Sequence, residues 1–395
     1  MSRADEVLNK VYNKNTISTI NKDTTGREGL SSIFGESITA HRVSSFSKQF
    51  HYGMDTDLVN ITEENGGEII IENNMLTCKT STNPQSKAII ETKEYVRYVP
   101  GYDTFAYFTE IFTETSDNQI QESGLYDENN GIFIRLKNGI LYLVRRRSGV
   151  DYEYETQTPF EGYTPYLGNI YRINYGYLGF ANIILEVKNP NGGWGLLYDV
   201  KYPNTALETH IANTYLPARS MVYNNGATTP INIKIGSISV GMIGGNSSET
   251  ERKFNVYGEN EISMSNGDNL IVIFRNKTTY NNEVNKIASR LSDILIASDL
   301  NKVSAMYLEK NVTITNNPTW HDVNNNSIME YSTDATFIPK SGKLLLPVPI
   351  SKTDKFSKDF YDKNFLLYPN ETAVFYLTTS GTGEISFSNN WFEMF

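Results

Sequence analysis

The stretch of sequence that decides the fold class is Gly131-Ile-Phe-Ile-Arg-Leu-Lys-Asn-Gly-Ile-Leu-Tyr-Leu-Val-Arg145. Two apolar runs flank Lys137-Asn138-Gly139. An Asn-Gly pair between apolar runs is the strongest short signal for a β-hairpin. These residues therefore predict two antiparallel strands that are joined by a tight turn.

Similar strand signals, with apolar residues at a period of two, recur from about residue 46 onward. Many strands at short spacing, with turns between them, indicate antiparallel β-sandwiches. The sequence thus predicts an all-β protein. Further strands are predicted at residues 68–72, 75–79 (after the turn Asn73-Asn74), 105–113, 171–175, 182–187, 194–198, 231–235, 238–240, 270–274, 304–308, 343–347 and 373–377.

The best linker in the chain is Gly244-Gly-Asn-Ser-Ser-Glu-Thr-Glu-Arg252, because it is small, polar and charged. It divides two predicted antiparallel β-sandwich domains of jelly-roll or lectin-like type, at residues 46–245 and 254–395. For residues 283–300 the sequence does not decide between a strand and a helix, because four apolar residues there have helical spacing. These four are Ile287, Leu291, Ile294 and Leu295.

Residues 1–45 contain too little apolar material to bury themselves. We predict that they form an extended N-terminal attachment arm that docks on another subunit. The alternative is a disordered tail. The candidate contact residues share one face of a possible short helix: Val7, Leu8, Val11 and Tyr12.

The chain has 395 residues and a net charge of −10, which argues against nucleic acid as a partner. The one basic run, Arg145-Arg146-Arg147, is predicted to be a solvated strand end, with an anionic-ligand or subunit contact as the alternative. No apolar run approaches the ~20 residues of a membrane span, and the N-terminus lacks the apolar core of a signal peptide. We therefore expect synthesis in the cytoplasm and no membrane insertion.

Catalytic signatures are missing from the sequence. The four His residues, at positions 41, 51, 210 and 321, lie in no recognisable motif, and the single Cys78 excludes an intrachain disulfide. Glu110 and Glu114 share a face of one predicted strand, but acids on the solvated face of a strand explain them better than a glycosidase pair. The prediction is a protein that is not an enzyme and has no cofactor or metal ion.

Sugar binding is harder to set aside. Lectin sites need an aromatic platform with a few amide or acid groups, and both residue types are common here. Packing in a core or interface is the favoured explanation of the aromatic cluster, and a glycan platform is the alternative. The candidate platform residues are Tyr163, Tyr166, Tyr171, Tyr175, Tyr177 and Trp194.

Seven segments have a familiar pattern, at residues 34–42, 95–102, 124–133, 143–147, 273–281, 317–323 and 327–331. They resemble virion structural proteins of tailed phages and large DNA viruses. The resemblance implies a structural component of a virus particle, such as a head or tail fibre, a baseplate element or a capsid-decorating protein.

The resemblance also implies a homotrimer that is located in the virion and bound to other virion proteins of the capsid or tail. The alternative is an appendage that binds a host receptor or surface glycan, and a glycan-degrading enzyme is the less favoured third hypothesis.

Overall fold

The computed structural model describes residues 42–116, 118–176, 178–243, 251–258, 261–352, 354–359 and 365–395. Every regular element in these ranges is a β-strand, and all the strand pairs are antiparallel. None of the described residues belongs to a helix of the length and apolarity that crossing a membrane requires. The all-β prediction is confirmed.

The chain separates into two compact units, residues 1–246 and 247–395. The strands of the first unit are β1 Arg42–Gln49, β2 Val59–Glu64, β3 Glu68–Glu72, β4 Met75–Lys79, β5 Lys87–Val96, β6 Asp103–Phe112, β7 Ile120–Tyr126, β8 Gly131–Lys137, β9 Ile140–Arg147, β10 Val150–Glu155, β11 Asn169–Gly176, β12 Ile183–Lys188, β13 Trp194–Val200, β14 Leu216–Tyr223 and β15 Asn232–Ile243. They form two sheets, in the orders β13-β12-β11-β6-β15-β4-β3, with β1 also on β15, and β10-β9-β8-β7-β14-β5-β2.

The predicted hairpins form in the first unit. Asn138 and Gly139 have φ angles of 52° and 75°, which a two-residue turn between twisted strands requires. Asn73 and Asn74, with φ angles of 49° and 62°, make the equivalent turn between β3 and β4. Asn tolerates this left-handed region better than most residues, so the turn chemistry fixes the register of both hairpins.

The core of the first unit lies between its two sheets. On β8, Ile132, Ile134 and Leu136 point into it and are fully buried. On the neighbouring β7, Gly124 is needed for steric reasons. An added Cβ there would lie 2.4 Å from the Phe133 Cα, so only glycine allows β7 and β8 to approach at this point.

The second unit has the strands β16 Glu251–Tyr257, β17 Ile262–Met264, β18 Gly267–Asn276, β19 Thr279–Tyr280, β20 Glu283–Val284, β21 Ser289–Ser298, β22 Ser304–Lys310, β23 Thr313–Ile314, β24 His321–Asp322, β25 Met329–Ser332, β26 Phe337–Ile338, β27 Lys343–Ile350, β28 Asp354–Asp359, β29 Leu366–Leu367, β30 Thr372–Thr379 and β31 Gly383–Met394. One main sheet has the order β16-β31-β21-β28, with β17 on β31 and β29 on β21. The other has the order β24-β25-β18-β30-β22-β27.

The stretch that sequence alone left open is a strand, β21. Its register against β31 shifts between Leu291 and Asp293, which marks a β-bulge. The bulge brings Leu291, Ile294 and Ile296 to the same buried face. A bulge therefore produces the three-residue spacing that resembles a helical pattern.

Two predicted segments fall largely outside the described residues. The arm residues Val7, Leu8, Val11 and Tyr12 lie there, as do residues 244–250 of the linker. The first strand begins at Arg42, within the range predicted for the arm, and it pairs with β15 from Arg42↔Ile243 onward. Arg252 of the predicted linker lies within β16.

Candidate functional site

The tyrosines of the predicted glycan platform do not form one surface. Tyr171 and Tyr175 point from β11 into the core of the first unit and are fully buried. Tyr163 and Tyr166 are half-buried against the same core, and the Tyr163 hydroxyl lies 3.0 Å from that of Tyr171. Burial raises the pKa of Tyr163 to about 12. Tyr177 lies outside the described residues.

Trp194, the sixth platform residue, lies on the outer face of the eight-stranded sheet. Its strand pairs with β12 in a register that sets Trp194 opposite Lys188. The Lys188 ammonium is 5.0 Å and the Arg172 guanidinium 4.1 Å from the indole ring, and the Tyr107 ring is 5.8 Å away. Cation–π contacts hold the ring on this face, away from the buried tyrosines.

The Arg145–Arg147 run is not a solvated strand end, and that prediction was wrong. Arg145 is buried and donates to the His210 carbonyl oxygen at 2.9 Å. Arg146 pairs with Asp151 at 2.6 Å, and Arg147 pairs with Glu208 at 2.8 Å. Each side chain therefore has a partner within the first unit, which its sequence neighbours did not indicate.

Arg146 belongs to a charged network on the outer face of the seven-stranded sheet. Arg135 donates to Glu122 and to Glu153, both at 2.6 Å, and to Asp151 at 2.7 Å. These guanidinium groups lie over the Phe133 ring, at 5.3 Å for Arg135 and 4.9 Å for Arg146. Lys137 lies 3.7 Å from Glu153, so three cations face three carboxylates in this network. The charges are therefore balanced, and the surface offers few open groups to a ligand.

The two glutamates that were considered as a catalytic pair lie in different surroundings. Glu110 is fully buried in the core, and Glu114 is exposed beyond the end of β6. The prediction placed Glu110 on a solvated face. That part of the prediction was wrong, because the side chain is buried. A glycosidase pair needs both carboxyl groups beside one substrate bond, which this placement does not provide.

A groove of about 750 Å³ opens between the two sheets of the second unit. β16, β17 and β31 contribute from one sheet, and β18 and β25 from the other. The volume is within the range of roughly 300–1,000 Å³ that is typical of ligand pockets. Buried apolar residues form its floor, namely Val256, Ile271 and Phe387.

Polar and aromatic side chains form the rim of the groove. These lining residues are Asn255, Tyr257, Glu261, Ser263, Asn324, Tyr331 and Thr333. Tyr257 is 63% exposed. The rim thus combines two aromatic rings with amide, hydroxyl and carboxyl groups.

The rim has unused hydrogen-bonding capacity. Across the described ranges, no side-chain hydrogen bond engages Asn255, Ser263 or Thr333, or the hydroxyls of Tyr257 and Tyr331. The Asn324 side chain only accepts, through Oδ1 from the Asn326 N–H at 2.8 Å. Polar groups without side-chain hydrogen bonds can exchange bound water for the hydroxyls of a ligand.

Sequence reasoning missed this groove. Asn255 and Tyr257 follow the predicted linker directly, whereas Asn324 and Tyr331 come much later in the chain. Each residue is ordinary in its own stretch of sequence. Only the pairing of β16 with β31 and of β25 with β18 brings them together.

The two acidic loops at residues 55–57 and 127–130 carry oxygen groups of the kind that bind calcium, but both form turns. Asp127 Oδ1 accepts the N–H groups of Asn129 and Asn130 at 2.8 and 2.7 Å. Asp55 Oδ1 accepts the N–H of Asp57 at 3.1 Å. Within the described residues, no group of three His, Cys, Asp or Glu is arranged to hold a metal ion.

No family model and no curated protein matches the chain. Among solved structures, the metal-free carbohydrate recognition domain of Emp46p is similar at 10% identity and a TM-score of 0.36, covering 51% of this chain and 97% of that domain. A structure from work on endo-acting O-glycanases of human gut microbiota has 12% identity and a TM-score of 0.38. The match covers 52% of this chain and 100% of that chain.

A legume lectin-like domain from Entamoeba histolytica has 14% identity and a TM-score of 0.33, over 51% of this chain and 98% of that domain. Several neighbours of this chain are therefore carbohydrate-recognition or lectin-like domains. At these scores the likeness carries no argument about a ligand of this chain.

Proposed function

We propose that this protein binds glycans, and that the groove of the second unit is the binding site. The observation that carries the proposal is the groove rim, where Tyr257 and Tyr331 stand beside polar groups that the described residues leave without side-chain partners. Saccharides present apolar C–H faces and many hydroxyls. A site with aromatic rings and open donors and acceptors suits both.

The shape of the groove supports the same function. An apolar floor under a polar rim matches a ligand with one apolar face and hydroxylated edges. The groove runs between two sheets of a sandwich. Strand pairing holds four of the rim residues in place without a ligand, namely Asn255, Tyr257, Ser263 and Tyr331. A preorganised site loses little conformational entropy when it binds.

The experiment is a glycan array followed by calorimetry with the best oligosaccharide. Tyr257→Ala should weaken binding about tenfold, which corresponds to ~1.4 kcal/mol, because the variant lacks a ring against which a sugar can stack. Tyr52→Ala is the matched control, since Tyr52 is 94% exposed in the first unit.

Equal loss of affinity in both variants, or binding that neither changes, contradicts the groove as the site. An array without any bound glycan contradicts the function itself.

The particle role stays a prediction, as do the homotrimer, the virion partners and the absence of enzymatic activity. The attachment arm also stays a prediction. Because β1 begins at Arg42, a truncation that tests the arm should end at residue 41, so that the strand stays intact.

A further inference from the structure

Three acidic residues, Glu261, Glu384 and Asp299, lie near one another at one side of the groove. Glu261 lines the groove itself. Glu384 on β31 is the register partner of Ser263, another lining residue. The backbone N–H of Glu384 donates to Asp299 Oδ1 at 2.7 Å, which places the Asp299 carboxyl beside the Glu384 backbone.

These carboxyl groups repel each other electrostatically. A hydrogen bond to Glu261, and then the charges of Glu261 and Asp299, raise the pKa of Glu384. A carboxyl is harder to ionise when its neighbours are negative. A nearby cation would remove this repulsion.

The described part of the chain supplies no such cation. None of its ion pairs includes Glu261, Glu384 or Asp299. The described lining residues include no Lys or Arg either, and Glu261 is their sole charged member. Among the described residues, this side of the groove is therefore negative and has no counter-ion, in contrast to the network around Arg135.

We infer that the groove selects saccharides that carry a free amino group, takes neutral ones less well and rejects uronic or sialic acids. This inference rests on the proposed glycan binding. A protonated amine near Glu261 would form a charge-assisted hydrogen bond and stabilise both carboxylates. A sugar carboxylate in the same place would add a further negative charge to the cluster.

The test is calorimetry on the full chain with three oligosaccharides of one linkage, built from glucosamine, N-acetylglucosamine or glucuronic acid. The glucosamine oligomer should bind about fivefold more tightly than the N-acetyl form, the scale of an exposed ion pair. Added salt should reduce this difference. The glucuronic acid oligomer should bind most weakly.

The variant Glu261→Gln should remove the preference for the amine, so that the glucosamine and N-acetylglucosamine oligomers bind with equal affinity. The control is Glu283→Gln, an exposed glutamate on β20 outside the groove lining. Equal affinity for the first two oligomers, or a preference that survives in Glu261→Gln, overturns the inference and leaves the proposed function standing. If none of the three binds, both fail.

Discussion

Glu110 in the first unit and Glu393 in the second are both fully buried, but their carboxyl groups differ in hydrogen bonding. Across the described residues, neither carboxyl oxygen of Glu110 has a hydrogen bond of normal geometry, although the Ser123 hydroxyl is close enough to lower its pKa in part. Glu393 in the second unit accepts from the Ser327 hydroxyl at 2.5 Å, the Trp391 indole N–H at 3.0 Å and the Ile328 N–H at 3.1 Å.

The difference shows that burial and hydrogen bonding contribute separately to the free energy of ionising a buried carboxyl group. Burial raises the pKa of Glu110 to about 8, and the Ser123 hydroxyl offsets only part of that rise. Burial also raises the pKa of Glu393, but donors from Ser327, Trp391 and Ile328 oppose the rise. Glu110 therefore opposes folding when it ionises, while Glu393 organises the donors around it.

The largest expected effect is on Glu393. Glu393→Ala leaves three buried donors without an acceptor, and each costs roughly 1–3 kcal/mol. We expect the free energy of unfolding to fall by about 3–5 kcal/mol in denaturant titrations. The exposed Glu283→Ala should change it by less than about 0.5 kcal/mol. A fall of that small size in Glu393→Ala would mean that the three donors find other partners.

The second prediction concerns the pH dependence of the first unit. The folded pKa of Glu110, about 8, lies above the ordinary value of 4.5. Ionisation therefore costs stability progressively as the pH rises from 4.5, and the loss is complete above pH 8. At about pH 7 the loss amounts to roughly 3 kcal/mol.

Glu110→Gln should remove this loss. Its unfolding free energy relative to the wild type should rise by roughly 3 kcal/mol between about pH 4.5 and pH 7, and hydrogen exchange in β6 and β15 should report it. Glu114→Gln, at the exposed position nearby, should show no such change. Parallel pH profiles for wild type and Glu110→Gln would contradict the raised pKa of Glu110.

The smallest effect is expected from Ser327→Ala, which brings Glu393 closer to the condition of Glu110. The Ser327 hydroxyl donates to Glu393 and also accepts the Met329 N–H at 3.0 Å. We expect a loss of about 1–2 kcal/mol, together with a further rise in the pKa of Glu393. Denaturant titrations at several pH values measure both. A loss that does not grow as the pH rises would show that Ser327 matters only for packing.

Local sequence determined the strands and their hairpins. Asn73-Asn74 and Asn138-Gly139 tolerate positive φ, and apolar alternation needs only neighbours two residues apart. The same local rule left β21 open, because the bulge between Leu291 and Asp293 shifts the alternation. A bulge depends on the partner strand, which sequence spacing does not report.

Only the tertiary structure decided what the side chains do. Tyr171 and Trp194 belong to one aromatic cluster in the sequence, but one ring is in the core and the other is on the outer face. Tyr257 and Tyr331 are distant in the sequence and line one groove. The reason is physical: alternation predicts that a strand has two faces, whereas burial, charge and open hydrogen-bonding capacity depend on which distant strands pack against each face.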